Sequence, residues 1–271
     1  MTDRDHWTEA VVDADGVKIQ VHRAGDGKLP SLVLAHGLSD NGLCWRRTAH
    51  ALADVFDVVM IDARNHGRSG RAPGGIAAQA NDVAAVIGAL GLDRPAAMGH
   101  SMGASTVAVL AADHPDLVSR VVLEDPPWRD TTDTAGTSTA EAWKEISAFL
   151  QSFAGLSDTE IVARGRSEHP DWSEAEFPDW AAAKQEVGEL AVGNIDAPDW
   201  SSTVSRIECP TLLIHGEIER GGIVDPAVAR RATELNPSLS TRRVRSAGHN
   251  IRRERFDEFI IAARAFLLET L

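Results

Sequence analysis

The stretch Pro95-Ala96-Ala97-Met98-Gly99-His100-Ser101-Met102-Gly103-Ala104-Ser105 joins a short apolar run to a segment of helical character. The apolar run predicts a buried strand, and Gly-x-Ser-x-Gly predicts a sharp strand-to-helix turn that projects the Ser101 side chain outward. Gly99 and Gly103 suit this turn because a Cβ at either place would clash as the helix folds back over the strand. Ser101 is therefore predicted to be a nucleophile at a helix N-terminus, where unpaired backbone N–H groups favour a developing anion.

Length and composition limit the classes of protein to consider. The chain has 271 residues and a formal net charge of −13, which argues against nucleic acid or an anionic membrane as partner. No apolar run approaches the ~20 residues of a membrane helix, and residues 1–7 do not resemble a secretory signal. Cys44 and Cys209 give neither a disulfide framework nor metal-ligand spacing. We expect a cytoplasmic protein with a small-molecule substrate and neither cofactor nor metal, and the sequence leaves the oligomeric state open.

The order of elements predicts an α/β fold. Apolar runs typical of strands buried on both faces alternate with segments of helical periodicity, which indicates a mostly parallel, doubly wound sheet. The alternation stops at Pro126-Pro127 and resumes near residue 206, so a helical cap is predicted after the sixth strand. The predicted core comprises residues 1–126 and 206–271, and the cap comprises residues 127–205. The predicted strands are residues 8–12, 17–23, 32–35, 58–61, 121–123, 211–214 and 239–244, together with the apolar run that opens the stretch 95–105.

Four motifs resemble those of the α/β-hydrolase fold family, and the serine esterase and lactonase branch is the most similar. In chain order they are His36-Gly37, Asp62-x-Arg64-x-His66-Gly67-x-Ser69, Gly99-His100-Ser101-Met102-Gly103 and Gly248-His249.

The resemblance implies a serine nucleophile activated by a histidine and a carboxylate. His249 matches the position of the family's histidine. The family's aspartate follows the strand at residues 211–214, where this chain has Glu219 instead. Glu219 is therefore the preferred acid, and Glu124 and Asp125, at the end of the preceding core strand, are the alternatives.

The resemblance also implies an oxyanion hole formed by the backbone N–H groups of Leu38 and Met102. Residues near these donors are the candidates for substrate binding, and large aromatic side chains at the cap boundary add rigid apolar surface. The predicted substrate-binding residues are His36, Gly37, Trp45, His100 and Trp128.

These features together predict a serine hydrolase that cleaves a small, fairly apolar carboxylic ester or lactone. Haloalkane dehalogenases and epoxide hydrolases use a carboxylate at the elbow, and the latter also use tyrosines, of which this chain has none. C–C bond hydrolases, thioesterases and cofactor-free haloperoxidases keep the serine triad and stay open as alternatives. A ligand receptor of the α/β-hydrolase type is the non-enzymatic alternative.

An arginine cluster surrounds His249 in the sequence. We interpret it as a solvated face that compensates nearby carboxylates, in preference to a funnel that steers anionic substrates. Its members are Arg242, Arg243, Arg245, Arg252, Arg253 and Arg255.

Overall fold

The computed structural model describes residues 7–25, 27–129, 139–191 and 198–269, with side chains from residue 144 onward in the third range. Its centre is one eight-stranded sheet. The strands are β1 (Thr8–Ala14), β2 (Val17–Ala24), β3 (Ser31–Ala35), β4 (Asp57–Ile61), β5 (Ala96–His100), β6 (Val121–Glu124), β7 (Thr211–His215) and β8 (Leu239–Arg243).

The strand order is β1-β2-β4-β3-β5-β6-β7-β8. Pairing is antiparallel at the β1–β2 hairpin and between β2 and β4, and it is parallel from β4 to β8. The predicted α/β fold with a mostly parallel sheet is therefore confirmed. Because the carboxyl ends of parallel strands meet at one edge, the residues that follow β3, β5, β6 and β7 are brought together there.

Helices cover both faces of the sheet. The helix that precedes β5 begins at Ile76, and both Ile76 and Ala80 are buried in the core. The helices are α1 (Arg46–Leu52), α2 (Ile76–Ala89), α3 (Met102–Asp113), α4 (Thr139–Gln151), α5 (Asp158–Glu168), α6 (Phe177–Gln185), α7 (Trp200–Ser205), α8 (Pro226–Leu235), α9 (Ile251–Glu254) and α10 (Phe256–Leu267).

Alternate residues of the central strands supply two apolar layers. In β3, Val33 packs into the layer under α2, α3 and α8, whereas Leu32 and Leu34 pack into the layer under α1 and α10. Burial of such side chains contributes about 1.5–3 kcal/mol each, which makes these layers the main source of stability. The uninterrupted apolar runs in the sequence reflect this burial on both faces.

The segment between β6 and β7 is helical where the structure describes it. A separate aromatic core, which includes Phe153, Trp172 and Trp180, packs α5 against α6. By contrast, α7 packs against α3 and α8, and its Trp200 lies in the main core. Within the described ranges, none of the helices combines the length and the apolar character that crossing a membrane requires.

Candidate active site

Ser101 occupies the predicted turn between β5 and α3. Its backbone has φ 52° and ψ −116°, a strained conformation for a residue with a side chain. A Cβ on Gly99 would lie 2.2 Å from the Gly103 carbonyl oxygen, and a Cβ on Gly103 would lie 2.2 Å from that of Ala35. Gly99 is therefore required because α3 folds back over β5, as the sequence predicts, whereas Gly103 is required because α3 passes close to the end of β3.

His249 is hydrogen-bonded to a carboxylate at the end of β6. Its Nδ1 donates to Oδ2 of Asp125 over 2.7 Å. The backbone N–H groups of Ile223 and Val224 also donate to this carboxylate, at 2.8 and 3.0 Å. Asp125 is completely buried, whereas the His249 side chain is 26% exposed, so the imidazole is accessible while its partner is fixed in the core.

The structure places Asp125, and not the preferred Glu219, against His249. Glu219 lies in an exposed short helical turn, Ile218–Arg220, with no described hydrogen bond to the imidazole. The other alternative, Glu124, is buried and accepts hydrogen bonds from Arg252. The sheet register explains why Asp125 is near Ser101. His100 pairs with Glu124, so Ser101 and Asp125 both lie one residue beyond the paired positions.

His100 connects the turn to the histidine loop. Its Nε2 donates to the backbone carbonyl of His249 over 3.0 Å, and the two imidazoles lie 4.7 Å apart between ring centroids. Burial and the nearby Arg252 hold the pKa of His100 well below its usual range, so its ring is neutral. His100 thereby brings the His249 loop to the residue next to Ser101.

Two backbone N–H groups near Ser101 have no acceptor among the residues that the structure describes. Met102 is the first residue of α3, and helix geometry leaves its N–H unpaired. Neither Met102 nor Leu38 donates a backbone hydrogen bond to any other described residue. A Cβ on Gly37 would lie 3.5 Å from Ser101 Cβ, which places the loop of residues 36–40 beside the serine. These are the positions predicted for an oxyanion hole.

Histidine side chains hold carbonyl groups of the 36–40 loop. His36 Nε2 accepts from the N–H of Ala63 over 3.0 Å, so Nδ1 carries the proton and donates to the Gly37 carbonyl over 2.8 Å. His66 contacts the Leu38 carbonyl through Nε2, and burial lowers the pKa of His66 to about 3. His36, predicted to bind substrate, is therefore buried with both ring nitrogens occupied, and it shapes the loop instead.

The two tryptophans predicted to bind substrate lie in the core. Trp45 is fully buried, and the Arg252 guanidinium lies 4.4 Å from its ring centroid. Trp128 is 3% exposed and stacks on Trp200 at 5.5 Å between centroids. The structure therefore gives both residues packing contacts and little accessible surface for a substrate.

Glu254 is a residue that the sequence reasoning missed. Its two carboxylate oxygens accept from the N–H groups of Gly248, at 2.6 Å, and Asn250, at 3.0 Å, which flank His249. Glu254 thus fixes the backbone on both sides of the imidazole. The available signal was the spacing from Asn250 to Glu254, one helical turn, which lets a side chain return to the start of its own helix.

The six arginines of the cluster differ in burial. Arg242, Arg243, Arg245 and Arg255 are exposed, in agreement with a solvated face, but this interpretation is wrong for Arg252 and Arg253. Their guanidinium groups donate to the buried Asp40 carboxylate over 2.8 and 3.0 Å. Burial would raise the pKa of Asp40, but Arg253, Lys184 and Arg252 outweigh it and hold that pKa well below its usual range.

Metal ligation has no candidate site in the part of the chain that the structure describes. No three His, Cys, Asp or Glu side chains converge there in a manner that suits a metal ion. The arrangement that is present consists of a strained serine, a carboxylate-bound imidazole and two unpaired N–H groups. It is suited to nucleophilic attack on an acyl group.

Comparison with known proteins identifies the same fold. A profile of the alpha/beta hydrolase fold family matches residues 30–252. The N-formylmaleamate deformylase of Pseudomonas putida is 29% identical over 263 residues, which cover 94% of this chain and 95% of the relative. The 2-(acetamidomethylene)succinate hydrolase of Mesorhizobium japonicum is 26% identical, with 91% and 90% covered.

Among solved structures, Est816 is described as an N-acyl homoserine lactone degrading enzyme. It is 27% identical to this chain and superposes with a TM-score of 0.74 over 95% of this chain and 100% of its own. The enzymes named in these comparisons are hydrolases, and their names cover both amide and lactone substrates.

Proposed function

Because this chain belongs to the α/β-hydrolase fold family, we propose that it is a serine hydrolase acting on a small, fairly apolar carboxylic ester or lactone through an acyl-enzyme on Ser101. The observation that carries the proposal is the 2.7 Å hydrogen bond from His249 Nδ1 to Asp125, in a loop fastened beside the Ser101 turn by His100. Asp125 takes the place of Glu219 as the acid of the triad.

The first half-reaction forms the acyl-enzyme. Nε2 of His249 takes the proton from the Ser101 hydroxyl as its oxygen attacks the carbonyl carbon. The N–H groups of Leu38 and Met102 donate to the oxyanion of the tetrahedral intermediate. His249 then protonates the leaving alcohol oxygen as the C–O bond breaks, and Asp125 stabilises the imidazolium during both transfers.

The second half-reaction releases the acid. Water replaces the alcohol, His249 takes one of its protons, and the resulting hydroxide attacks the acyl carbon. The tetrahedral intermediate collapses, and the Ser101 oxygen leaves with the proton held by His249. No cofactor enters either step.

Amide cleavage is the second candidate. Two of the relatives that match nearly the whole chain are named for an N-formyl and an acetamido compound, whereas Est816 is named for a lactone. The same acyl-enzyme serves both bonds, since only the leaving group differs. An amine leaves less readily than an alcohol, so amide turnover depends more strongly on protonation by His249.

The test combines covalent labelling with a substrate panel. A fluorophosphonate probe should label the wild-type protein at Ser101 and should not label Ser101→Ala. A p-nitrophenyl butyrate, a simple lactone and an N-formyl amide, all at equal concentration, should rank in that order or with the lactone first. A thioester and a vinylogous diketone are assayed in addition to the panel. Labelling of Ser101 without turnover of any of these five compounds would favour the receptor alternative. Turnover that survives in Ser101→Ala would exclude the mechanism.

A further inference from the structure

Six buried charged side chains form an ionic cluster behind the 36–40 loop. None of them exposes more than 5% of its side chain, and the three cations balance the three carboxylates. Such a cluster is costly to desolvate, so each member needs a partner. The members of the ionic cluster are Asp40, Glu124, Glu176, Lys184, Arg252 and Arg253.

The ionic cluster joins the segments that carry the candidate catalytic groups. Asp40 ends the 36–40 loop, Glu124 precedes the acid Asp125, and Arg252 follows His249 by three residues. Arg252 bonds both Asp40, at 2.8 Å, and Glu124, at 3.2 Å. The ionic cluster therefore fixes the 36–40 loop, Asp125 and His249 relative to one another.

Lys184 brings the inserted helical segment into this cluster. It lies in α6, and its Nζ donates to the Ser39 carbonyl over 2.6 Å, to Ser39 Oγ over 3.1 Å and to Asp40 over 3.4 Å. Its side chain is completely buried, with Nζ 4.7 Å from the Trp180 ring centroid. The contact lies one residue from Leu38, whose N–H is a proposed oxyanion donor.

Successive carbonyls of the loop are thus each contacted by a histidine or lysine side chain. His36 donates to Gly37, His66 contacts Leu38, and Lys184 donates to Ser39. The Gly37 carbonyl lies in the same peptide plane as the Leu38 N–H, and the Ser39 carbonyl lies two peptide planes further along, so holding Ser39 restricts rotation at the end of the short loop that carries this N–H. His36 belongs to the loop itself, His66 lies in the segment after β4, and the lysine comes from the segment inserted between β6 and β7.

We propose that Lys184 is a positioning residue of the oxyanion hole, which it orients from the inserted segment by holding the Ser39 carbonyl. The inference rests on the proposed function. It assigns to α6 a contribution to the transition state, in addition to any contribution to the shape of the cleft.

Anchoring of α6 alone does not require this lysine. The bidentate pair of Arg46 with Asp179, at 2.8 and 2.9 Å, already fastens α6 to α1 near the surface. Burial lowers the pKa of Lys184 to about 8, which shows how poorly the site solvates an ammonium group. An apolar side chain would pack there at lower cost, whereas only a donor can hold Ser39.

The test compares Lys184→Met with Asp179→Asn, which weakens the other attachment of the same helix. Both variants are assayed for kcat and KM on the best ester of the panel, for the rate of fluorophosphonate labelling and for Tm. We expect Lys184→Met to lower kcat and the labelling rate about 10–100-fold, since a displacement of about 1 Å at the reacting groups can cost about 100-fold, with KM changed less than about twofold. Asp179→Asn should lower Tm while kcat stays within about twofold.

Equal kcat in Lys184→Met and wild type would overturn the proposal, as would equal losses of kcat in both variants. If Lys184→Met does not fold, Lys184→Gln, which removes the ammonium donor and leaves an amide that is one bond shorter, should lower kcat about 2–5-fold, and an unchanged kcat would overturn the proposal. Wild-type labelling that is absent from Ser101→Ala keeps the two questions separate. If the probe does not label Ser101 in the wild type, the proposed function itself is rejected, whereas the comparison of Lys184→Met with Asp179→Asn tests the role of Lys184.

Discussion

Asp125 and His249, 124 positions apart in the chain, meet through a 2.7 Å hydrogen bond between Oδ2 and Nδ1. The carboxylate is also held by two backbone N–H groups from the segment that follows β7. The segments after β6, β7 and β8 therefore all contribute to the position of one imidazole. This is the relationship on which the candidate site depends.

Replacement of Asp125 by Asn should lower kcat by about 10⁴-fold, because an amide cannot select the histidine tautomer that a carboxylate selects. The measurement is steady-state kinetics on the ester that the wild type prefers. Tm should also fall, since the Ile223 and Val224 N–H groups each lose an anionic acceptor, which is worth about 1.5–3 kcal/mol for hydrogen bonds to charged groups.

Glu219→Gln is the matched control for the acid. Glu219 is exposed and has no described hydrogen bond to the imidazole, so kcat should stay within about twofold of the wild type. A large loss in Glu219→Gln with an active Asp125→Asn would contradict the assignment and restore the preference drawn from the sequence.

The choice between Glu219 and Asp125 shows where sequence reasoning stops. The Gly-x-Ser-x-Gly turn follows from local sterics, so Ser101 and its two glycines are predictable from a few adjacent residues. The acid depends on which of two neighbouring strand ends approaches the histidine loop, and this is a tertiary property. Both β6 and β7 end with carboxylates nearby, and only the register and the backbone donors of residues 223–224 decide between them.

Burial of charge was the other feature that the sequence did not predict. Arg252 and Arg253 look like members of a solvated basic run, because nothing local distinguishes them from Arg255. Their carboxylate partner Asp40 lies more than two hundred positions away. Pairings over such separations leave no periodic pattern in a single sequence.

Glu254→Gln should lower kcat about tenfold with little change in KM. An amide presents one acceptor and one donor group, so it satisfies one of the two N–H groups that flank His249 and opposes the other. The loop then holds the imidazole less well in the transition state than the wild-type loop does. The measurement is kcat and KM, together with the rate of Ser101 labelling.

Glu258→Gln is the matched control for Glu254→Gln, because it also removes one negative charge. Glu258 lies on the next helix and pairs with the exposed Arg255, so the same chemical change is made at the surface. Its kcat should match the wild type. A tenfold loss in both variants would indicate that net charge, and not support of the histidine loop, controls the rate.

Gly37→Ala should lower kcat about 10–100-fold while KM changes less. The added Cβ would lie 2.7 Å from His100 Nδ1, so either the loop or the imidazole must move, and both adjoin Ser101. Gly88→Ala is the control, because its Cβ meets nothing within 4 Å in an exposed turn of α2. That variant should keep full activity and gain about 0.5–1 kcal/mol of unfolding free energy. Unchanged kcat in Gly37→Ala would show that this loop has no part in the rate.

Both cysteines should resist alkylation in the native protein at pH 9. Burial raises the pKa of Cys44 to about 12 and that of Cys209 to about 11, so the reactive thiolate is scarce at a pH where an exposed cysteine is mostly ionised. Iodoacetamide followed by mass spectrometry should find both unmodified when the protein is folded and both modified in urea.

The raised pKa values of the two thiols also determine how stability changes with pH. The unfolded thiols lose protons from about pH 8.5 upward, while the folded ones keep theirs. These two groups therefore favour unfolding progressively as the pH rises between about 9 and 12. Rapid native alkylation of Cys44 would place its thiol in contact with solvent and contradict the packing of α6 over it, where its Sγ lies 3.6 Å from the Asp179 carbonyl.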